Sequence, residues 1–280
     1  MECVKDIALF NDHRVSCREI EKADAGQGPT IYEIFRVFRG VPVFLEDHLE
    51  RLYHSLDLEQ LSVVEHRGEI TRQVHRLIEA NSAVDGKIKL VVAFHAGNSG
   101  SRYDLMLYFT PFEPPSEDDY REGVKTALVA AMRDDPNAKV MHTEARRLAD
   151  EKIRQLGVYE ALLVDAEGYI TEGSRSNVFF VEGSRLVTPP DDAVLQGIAR
   201  RNILRICRRE NIPVDVRRVH RSELSAFQAV FLSGTTPKVL PVQAVDDIYY
   251  NTNNRFVGSI MEKYNQHLQA YVESRKKHQE

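Results

Sequence analysis

Long apolar runs are missing from this 280-residue sequence. No stretch approaches the roughly 18 consecutive apolar residues from which a membrane-spanning helix is inferred. The first residues, MECVKDIALFND, also lack the basic segment and long apolar core that a secretory leader requires. We therefore expect no membrane partner and a cytoplasmic location.

Cysteine is scarce, with three residues in the whole chain. Cys3, Cys17 and Cys207 are widely separated and odd in number, and no CxxC pair occurs. This spacing argues against a disulfide framework and against a zinc site. We expect three reduced thiols and no metal.

A strong net charge is also absent, since the formal net charge is −5 at pH 7. Nucleic-acid-binding proteins usually carry a basic surface, so nucleic acid is not expected as a partner. Hydrophobic residues make up 42% and charged residues 28% of the chain, which excludes collagen-like, disordered and membrane classes. A globular protein that acts on small molecules is the better interpretation.

The most loop-like stretch is PFEPPSEDD, residues 111–119, where prolines and acidic residues interrupt two structured blocks. We predict a linker at residues 113–120, between a small N-terminal domain at residues 1–112 and a large C-terminal domain at residues 121–280. Strand and helix patterns are mixed in both blocks. The predicted fold class is therefore α/β, with an α+β mixture as the related possibility.

Apolar periodicity predicts the elements within each block. YEIFRVFRGVPVFL, EALLVDAEGYITEG and NVFFVEGSRLVTP predict β-hairpins, and KIKLVVAFH with DLMLYFTPF predicts two paired strands. EDHLERLYHSLDLEQL, EITRQVHRLIEAN and IARRNILRICRREN have helical spacing. EARRLADEKIRQLG predicts a helix that ends at Gly157 and buries an apolar face of Ala145, Leu148, Ala149 and Leu156.

Two places have features of an anion site. Gly197 stands directly before a predicted helix, so the backbone N–H groups of Ile198 and Ala199 point outward at the positive end of the helix dipole. The turn from Ser233 to Thr236 follows the apolar strand AVFL, and its hydroxyl and N–H groups form a second concavity. The ordinary alternatives are a flexible loop before a helix and a polar turn.

Three charged residues are candidates for chemistry. Lys139 lies between a predicted strand and a predicted helix, where a loop residue can point into a cleft, although a lone lysine is nearly always solvated. Glu172 interrupts an apolar hairpin, and a carboxylate on the core side of a sheet requires a partner that offsets its desolvation. Arg51 lies one helical turn from His48, and its stem could simply cover apolar surface.

Together these segments resemble the class IV aminotransferases, or fold type IV pyridoxal-phosphate enzymes: branched-chain aminotransferases, D-amino acid transaminases and aminodeoxychorismate lyases. The resemblance covers nearly the whole chain. It implies two domains, a small N-terminal α/β domain and a larger C-terminal pseudo-barrel that binds the cofactor. The motifs that carry it, in order, are YEIFRVFRG, HLERL, NAKVMH, YEALLVDAEGYITEGSRSNVFFV, LVTPP, LQGIARRNI and FLSGTTPKVLPV.

The resemblance implies a role for each candidate residue. Lys139 is the Schiff-base lysine and, as a free amine, moves a proton at the substrate α-carbon. Glu172 keeps the pyridine nitrogen of pyridoxal 5′-phosphate protonated, so that the ring accepts the carbanion electrons. The cofactor phosphate is expected on Arg51, the amides of Ile198 and Ala199, and the Thr235 hydroxyl.

The resemblance also describes the substrate side. Tyr32 lines the substrate pocket, and Thr236 offers its backbone N–H to the substrate carboxylate. Lys89 could substitute for the substrate-side arginine of branched-chain enzymes, with an exposed strand lysine as the alternative. KIKLVVAFHAGNSG has no match for the arginine of D-amino acid transaminases, which favours branched-chain or similar L-amino acids.

The sequence departs from the family pattern at three places. Ala199 replaces the usual threonine, so one phosphate-binding hydroxyl is missing while the amide remains. VMHTEA follows Lys139 in place of Asn-Tyr-Leu or Asn-Leu-Leu, which leaves the partner of the cofactor 3′-oxygen open, with His142 nearby. ADAGQGP replaces the DRGF-like segment of the entrance loop.

The expected function is amino-group transfer from an amino acid to a 2-oxo acid by a ping-pong mechanism. A D-amino acid transaminase and a lyase that releases pyruvate from aminodeoxychorismate stay open on the same fold, since both keep Lys139. A non-catalytic phosphate-binding protein would need neither Lys139 nor Glu172. The family also implies a homodimer, because its members place their pockets near a subunit boundary.

Overall fold

The computed structural model describes residues 2–22, 28–95, 102–133, 136–141 and 143–277. His142 and the first five residues of ADAGQGP lie outside this part of the chain. No helix among the described residues combines the length and the apolar character needed to cross a membrane.

The chain forms two compact units that do not simply follow one another in sequence. Along the chain, the first unit is followed by the second for the first time between Glu113 and Pro114. The first unit contains Met1–Glu113, Ala138–Met141 and Leu268–Glu280, and the second contains Pro114–Asn137 and His142–His267. Lys139 therefore belongs to the first unit, although it lies far beyond residue 113 in sequence.

An antiparallel sheet forms the centre of the first unit, with the strand order β2-β1-β6-β5-β3-β4. The strands are β1 (Ile7–Phe10), β2 (His13–Ser16), β3 (Thr30–Phe38), β4 (Val41–Pro42), β5 (Asp85–Phe94) and β6 (Tyr103–Thr110). The helices are α1 (Cys17–Lys22), α2 (Leu45–Leu58) and α3 (Arg67–Ala80). The hairpin, both longer helices and the paired strands predicted for this block are confirmed.

The two faces of this sheet differ, because successive side chains of a strand point to opposite sides. On one face Phe35, Leu90 and Leu107 pack in a core with the leucines of α2 and α3. On the other face Tyr32 and Tyr108 lie in a smaller cluster that includes Val91, Met106, Cys3 and Ile20. Tyr32 and Glu33, which are adjacent on β3, therefore lie on opposite faces of the sheet.

A disulfide joins Cys3 to Cys17, which corrects the expectation of three reduced thiols. The hairpin of β1 and β2 pairs Ile7 with Ser16 and so brings both ends of this segment together. The Cα atoms of the two cysteines are 5.4 Å apart, although the residues are 14 positions apart in sequence. Cys207 is buried and is not part of this disulfide.

The second unit is built on a ten-stranded sheet with the order β12-β11-β10-β14-β15-β7-β8-β9-β13, in which β16 pairs with β15. Its central β15, β7 and β8 run parallel. The strands are β7 (Val124–Ala130), β8 (Glu160–Val164), β9 (Tyr169–Gly173), β10 (Asn177–Glu182), β11 (Arg185–Thr188), β12 (Val214–Val216), β13 (Val219–His220), β14 (Ala229–Gly234), β15 (Lys238–Val245) and β16 (Ile248–Tyr249).

Helices complete the second unit, and one of them corrects a prediction. Gly157, with a φ of 64°, ends α5 as predicted, and Ala145 and Ala149 are buried. Leu148 is only half-buried and Leu156 is 53% exposed, because the packed face of α5 consists of its small residues. The helices are α4 (Glu117–Glu122), α5 (Glu144–Leu156), α6 (Ile198–Arg209) and α7 (Arg255–Lys276), with a 3-10 turn at Arg221–Ala226.

Candidate active site

Lys139 is held by its backbone in the first unit. Its N–H donates to the Ser55 hydroxyl of α2 over 3.2 Å, and its carbonyl accepts from the N–H of Tyr32 over 3.2 Å. The next residue, Val140, forms an isolated bridge with Ile31 at the start of β3. The half-buried Lys139 side chain places Nζ 4.6 Å from the centre of the Tyr32 ring. The structure thus brings together two residues that the sequence assigned to one site.

A buried ion pair lies on the helix-covered face of the same sheet. Glu33 of β3 accepts a bidentate contact from Arg51, with Nε–Oε1 and Nη2–Oε2 distances of 2.8 Å. His48 Nδ1 is 2.7 Å from the same carboxylate. His48, Arg51 and Ser55 are all buried, and their spacing puts them on the inner side of α2. This arrangement fixes the guanidinium of Arg51 at the sheet.

The charges in this cluster shift two pKa values. Burial alone would raise the pKa of Glu33, but the charge and hydrogen bonds of Arg51, with the hydrogen bond of His48, lower it to about 2. Burial lowers the pKa of His48, and the nearby charges of Arg51 and Lys139 act in the same direction, against the effect of Glu33. The stable state of the cluster is therefore a charged carboxylate beside a charged guanidinium.

Lys89 has a counterion, which the sequence did not reveal. It lies on β5 with a side chain that is 7% exposed, and its Nζ is 2.7 Å from a carboxylate oxygen of Glu2. The Tyr108 hydroxyl donates to the same oxygen over 2.8 Å. Lys89 Nζ also lies 5.8 Å from the centre of the Tyr32 ring. The alternative of an exposed strand lysine is therefore wrong.

Glu172 lies near the end of β9 in the second unit and is buried. Its Oε1 accepts from Arg133 Nε over 2.6 Å, and its Oε2 accepts from the Leu195 N–H over 3.2 Å and from Asn177 Nδ2 over 3.4 Å. A buried carboxylate requires such a countercharge and donors. Arg133 was not among the candidates from the sequence. It stands in AAMRDDPNAK, six residues before Lys139, and this position was the available indication.

The two candidate anion turns also belong to the second unit. Helix α6 begins at Ile198 after Gly197, and neither a side-chain cap nor an acidic residue occupies its first turn. A Cβ atom at Gly197 would clash with the side-chain oxygen of Asn177, which explains the glycine. Ile198 and Ala199 are both buried, so the helix start is held in place by packing.

Thr235 and Thr236 follow the end of β14 and are both half-buried. Just before them, the hydroxyl of Ser233 is buried and has no hydrogen-bond partner among the described residues. Ser233 pairs directly with Asn177 across the sheet. The register therefore places this polar turn beside the strand that follows Glu172.

A second buried carboxyl supports the turn that follows Glu172. Glu160 of β8 accepts from the Ser174 hydroxyl over 2.5 Å and from the Ser176 hydroxyl over 3.2 Å. Burial raises the pKa of Glu160, and the hydrogen bond from Ser174 offsets this only in part. The Ser174 carbonyl in turn accepts from Arg133 over 3.2 Å. Glu160 and Arg133 thus hold the same turn from two sides.

Comparison with known proteins shows what this chain is similar to. The model of the family described as amino-transferase class IV matches residues 30–245. A D-alanine aminotransferase from Bacillus licheniformis is 26% identical over 253 residues, which cover 85% of this chain and 88% of that protein. A putative branched-chain-amino-acid aminotransferase from Methanocaldococcus jannaschii is 27% identical over 248 residues, 84% of each protein.

A solved structure shows the same fold. The branched-chain aminotransferase from the thermophilic archaeon Thermoproteus uzoniensis, solved with norvaline, superposes with a TM-score of 0.86 and 24% identity, covering 97% of both chains. The predicted mixed α/β fold is confirmed by this likeness and by the two sheets with their helices.

The Glu33 ion pair generates a prediction about stability. Glu33→Gln leaves Arg51 buried without its countercharge, so we expect the free energy of unfolding at pH 7 to fall by about 3 to 5 kcal/mol. The folded pKa of Glu33 lies below the unfolded value of 4.5, so its stabilisation is present above pH 4.5 and is lost as the pH falls toward 2. Urea unfolding measured across this pH range tests both statements.

The matched control for this experiment is Glu69→Gln, because Glu69 forms an exposed pair with Arg72 at 3.5 Å. Exposed pairs contribute at most about 1 kcal/mol, so this variant should unfold nearly as the parent does. Equal losses of stability in the two variants would contradict the prediction.

Proposed function

We propose that this chain, which belongs to the class IV aminotransferase family, moves an amino group from an amino acid to a 2-oxo acid with pyridoxal 5′-phosphate. The observation that carries the proposal is the way in which Lys139 is held. Its backbone is hydrogen-bonded to Ser55 and Tyr32, and its ammonium group lies over the Tyr32 ring. A lysine that binds a cofactor covalently requires this positioning, whereas a solvated surface lysine does not.

The surroundings of Glu172 fit the pyridine ring of this cofactor. Arg133 supplies a countercharge, and the donors Asn177 and Leu195 fix the plane of the carboxylate. A charged, immobile carboxylate is the group that stabilises a protonated ring nitrogen. Another branched-chain amino acid aminotransferase of the same fold was solved with pyridoxamine 5′-phosphate, which supports the same choice of cofactor here.

The phosphate group fits the start of α6 and the turn after β14. We propose that the amides of Ile198 and Ala199 and the hydroxyl of Thr235 bind it, because the first turn of α6 lacks both an acidic residue and a side-chain cap. The buried Ser233 hydroxyl supports this choice, because it is a polar group beside the same turn. Arg51 would bind the phosphate as well, in the orientation that Glu33 imposes on its guanidinium.

The cofactor, when bound, supplies an electron sink for the electron pair of the substrate α-carbon. Lys139 Nζ would take the proton from the α-carbon of the donor and pass it to the cofactor C4′, and would move a proton in the opposite direction after the acceptor binds, which makes Lys139 the general base and acid. Glu172 balances the positive charge on the ring nitrogen. Thr236 offers its backbone N–H to the substrate carboxylate, and Tyr32 lines the substrate side. The donor leaves as a 2-oxo acid before the acceptor binds, which is a ping-pong sequence.

The substrates we propose are branched-chain or similar L-amino acids. Relatives named as branched-chain and as D-alanine aminotransferases have nearly the same identity to this chain, so the names alone do not decide the stereochemistry. L- and D-amino acids assayed with 2-oxoglutarate and pyruvate separate these possibilities. Release of pyruvate from aminodeoxychorismate would indicate the lyase instead.

We also propose a homodimer and a cytoplasmic location, in which the Cys3–Cys17 disulfide would be an exception among mostly reduced thiols. Members of the family close their pockets with loops of the partner subunit, so a dimer is expected to be the active form. Light scattering at assay concentration should give twice the chain mass of 32.0 kDa. A fully active monomer would remove the dimer from the proposal.

Lys139 is the residue that tests the proposed chemistry. Reduction of the cofactor-loaded protein with borohydride, followed by peptide mapping, should place the label on Lys139. Lys139→Ala should lose both the label and turnover while its circular dichroism stays that of the parent. Lys125→Ala removes an exposed lysine and should keep both. A label on any other lysine would show that the assignment is wrong.

Glu172→Gln separates catalysis from cofactor binding. The proposed phosphate contacts do not involve Glu172, so the variant should still bind the cofactor. An amide cannot balance a charged ring nitrogen, so turnover should fall on the order of 10² to 10³. Single-turnover absorbance after addition of the donor measures this change.

The control for Glu172→Gln is Glu167→Gln, which alters an exposed side chain in the turn between β8 and β9. This variant should convert donor at the parental rate. If Glu172→Gln also converts at that rate, Glu172 is a structural carboxylate only.

A further inference from the structure

Lys89 is a buried cation on the face of the first sheet that also carries Tyr32. The strand register places Lys89 opposite Ile34 of β3 and opposite Tyr108 of β6. Its Nζ lies 5.8 Å from the centre of the Tyr32 ring and 5.9 Å from the centre of the Tyr108 ring. An ammonium group with this little exposure requires a negative partner.

Glu2 is that partner, and the contact is specific. A single oxygen of its carboxylate lies 2.7 Å from Lys89 Nζ and accepts from the Tyr108 hydroxyl over 2.8 Å. Burial raises the pKa of Tyr108, and the charge of Glu2 adds to the effect, so Tyr108 stays a donor. Lys89 and Tyr108 together therefore form a carboxylate-binding pair that a side chain of the same chain occupies.

The two lysines of this region share one aromatic ring. Lys139 Nζ is 4.6 Å and Lys89 Nζ is 5.8 Å from the centre of the Tyr32 ring. If Lys139 is the reacting lysine, Lys89 lies beside the same ring, Tyr32, that would line the substrate side. The role of Lys89 toward a substrate therefore rests on the proposed function, in which Lys139 is the reacting lysine.

We propose that Glu2 is a specificity-determining residue that disfavours substrates with a second carboxylate. Its negative charge neutralises Lys89, so a neutral substrate side chain meets an ion pair that is already satisfied. The second carboxylate of a dicarboxylic substrate must displace Glu2 before it gains Lys89 and Tyr108. The Glu2 side chain is 64% exposed, so it can be displaced into water. Its competition for Lys89 nevertheless reduces the binding free energy that the dicarboxylic substrate gains.

Binding of two unreactive acids tests this proposal without turnover. Glutarate carries two carboxylates and pentanoate carries one on a chain of the same length, and both are titrated calorimetrically into the full-length, cofactor-loaded protein. We expect Glu2→Gln to bind glutarate about tenfold more tightly than the parent and pentanoate with little change. The kcat/KM ratio of 2-oxoglutarate to 4-methyl-2-oxopentanoate should rise by a similar factor.

Two further variants identify the cause of the tighter glutarate binding. Glu2→Gln combined with Lys89→Met keeps the apolar volume but removes the cation, so the tighter binding of glutarate should disappear. Glu21→Gln makes the same change in net charge at an exposed position of α1 and should leave both affinities unchanged.

The outcomes separate this inference from the proposed function. Equal glutarate affinity in Glu2→Gln and Glu21→Gln, or a gain that persists without Lys89, would overturn the role of Glu2. An absence of transamination with every substrate pair would overturn the proposed function instead. The calorimetric result would then still decide whether Glu2 competes for Lys89.

Discussion

In both units, the burial of a carboxylate away from water determines which residues surround each buried glutamate. Such a group needs a facing cation or several donors, and the buried glutamates meet this need in two ways. Glu33 faces Arg51 and has its pKa lowered to about 2, whereas Glu160 is bonded to serine hydroxyls and has its pKa raised by burial. Glu172, like Glu33, faces a guanidinium, because Arg133 Nε lies 2.6 Å from its Oε1. The three buried carboxylates thus differ in whether a cation or hydroxyl groups lie against them.

Local patterns in the sequence predict the longer elements because those patterns depend on neighbours along the chain. The spacing of leucines identifies α2, and a glycine with a positive φ ends α5 where the sequence places it. A two-residue strand such as β13 has no such pattern, since its pairing depends on β9, which lies far away in sequence. Leu156 shows the same limit, because only the packing of α5 decides which of its apolar residues are buried.

In the candidate site, too, local sequence predicts single residues but not their contacts with distant parts of the chain. Lys139 and Glu172 stand out through motifs, but their partners cannot be read from nearby sequence. Arg133 is 39 residues from Glu172, and Glu2 is 87 residues from Lys89. These pairs exist because sheet register brings separate strands and segments together. The disulfide of Cys3 was missed for that reason too, since the β1–β2 hairpin creates the contact.

The short connection between Glu2 and the first sheet has a kinetic and thermodynamic consequence. A group attached through a few residues behaves as though it were dissolved at a concentration on the order of millimolar near its contact, independent of the amount of protein. Closure of the disulfide next to Glu2 ties this segment to α1 and restricts its excursions further. In the proposed competition, a diffusing dicarboxylate would therefore meet a fixed local concentration of carboxylate, and reduction of the Cys3–Cys17 disulfide would loosen the segment that supplies it.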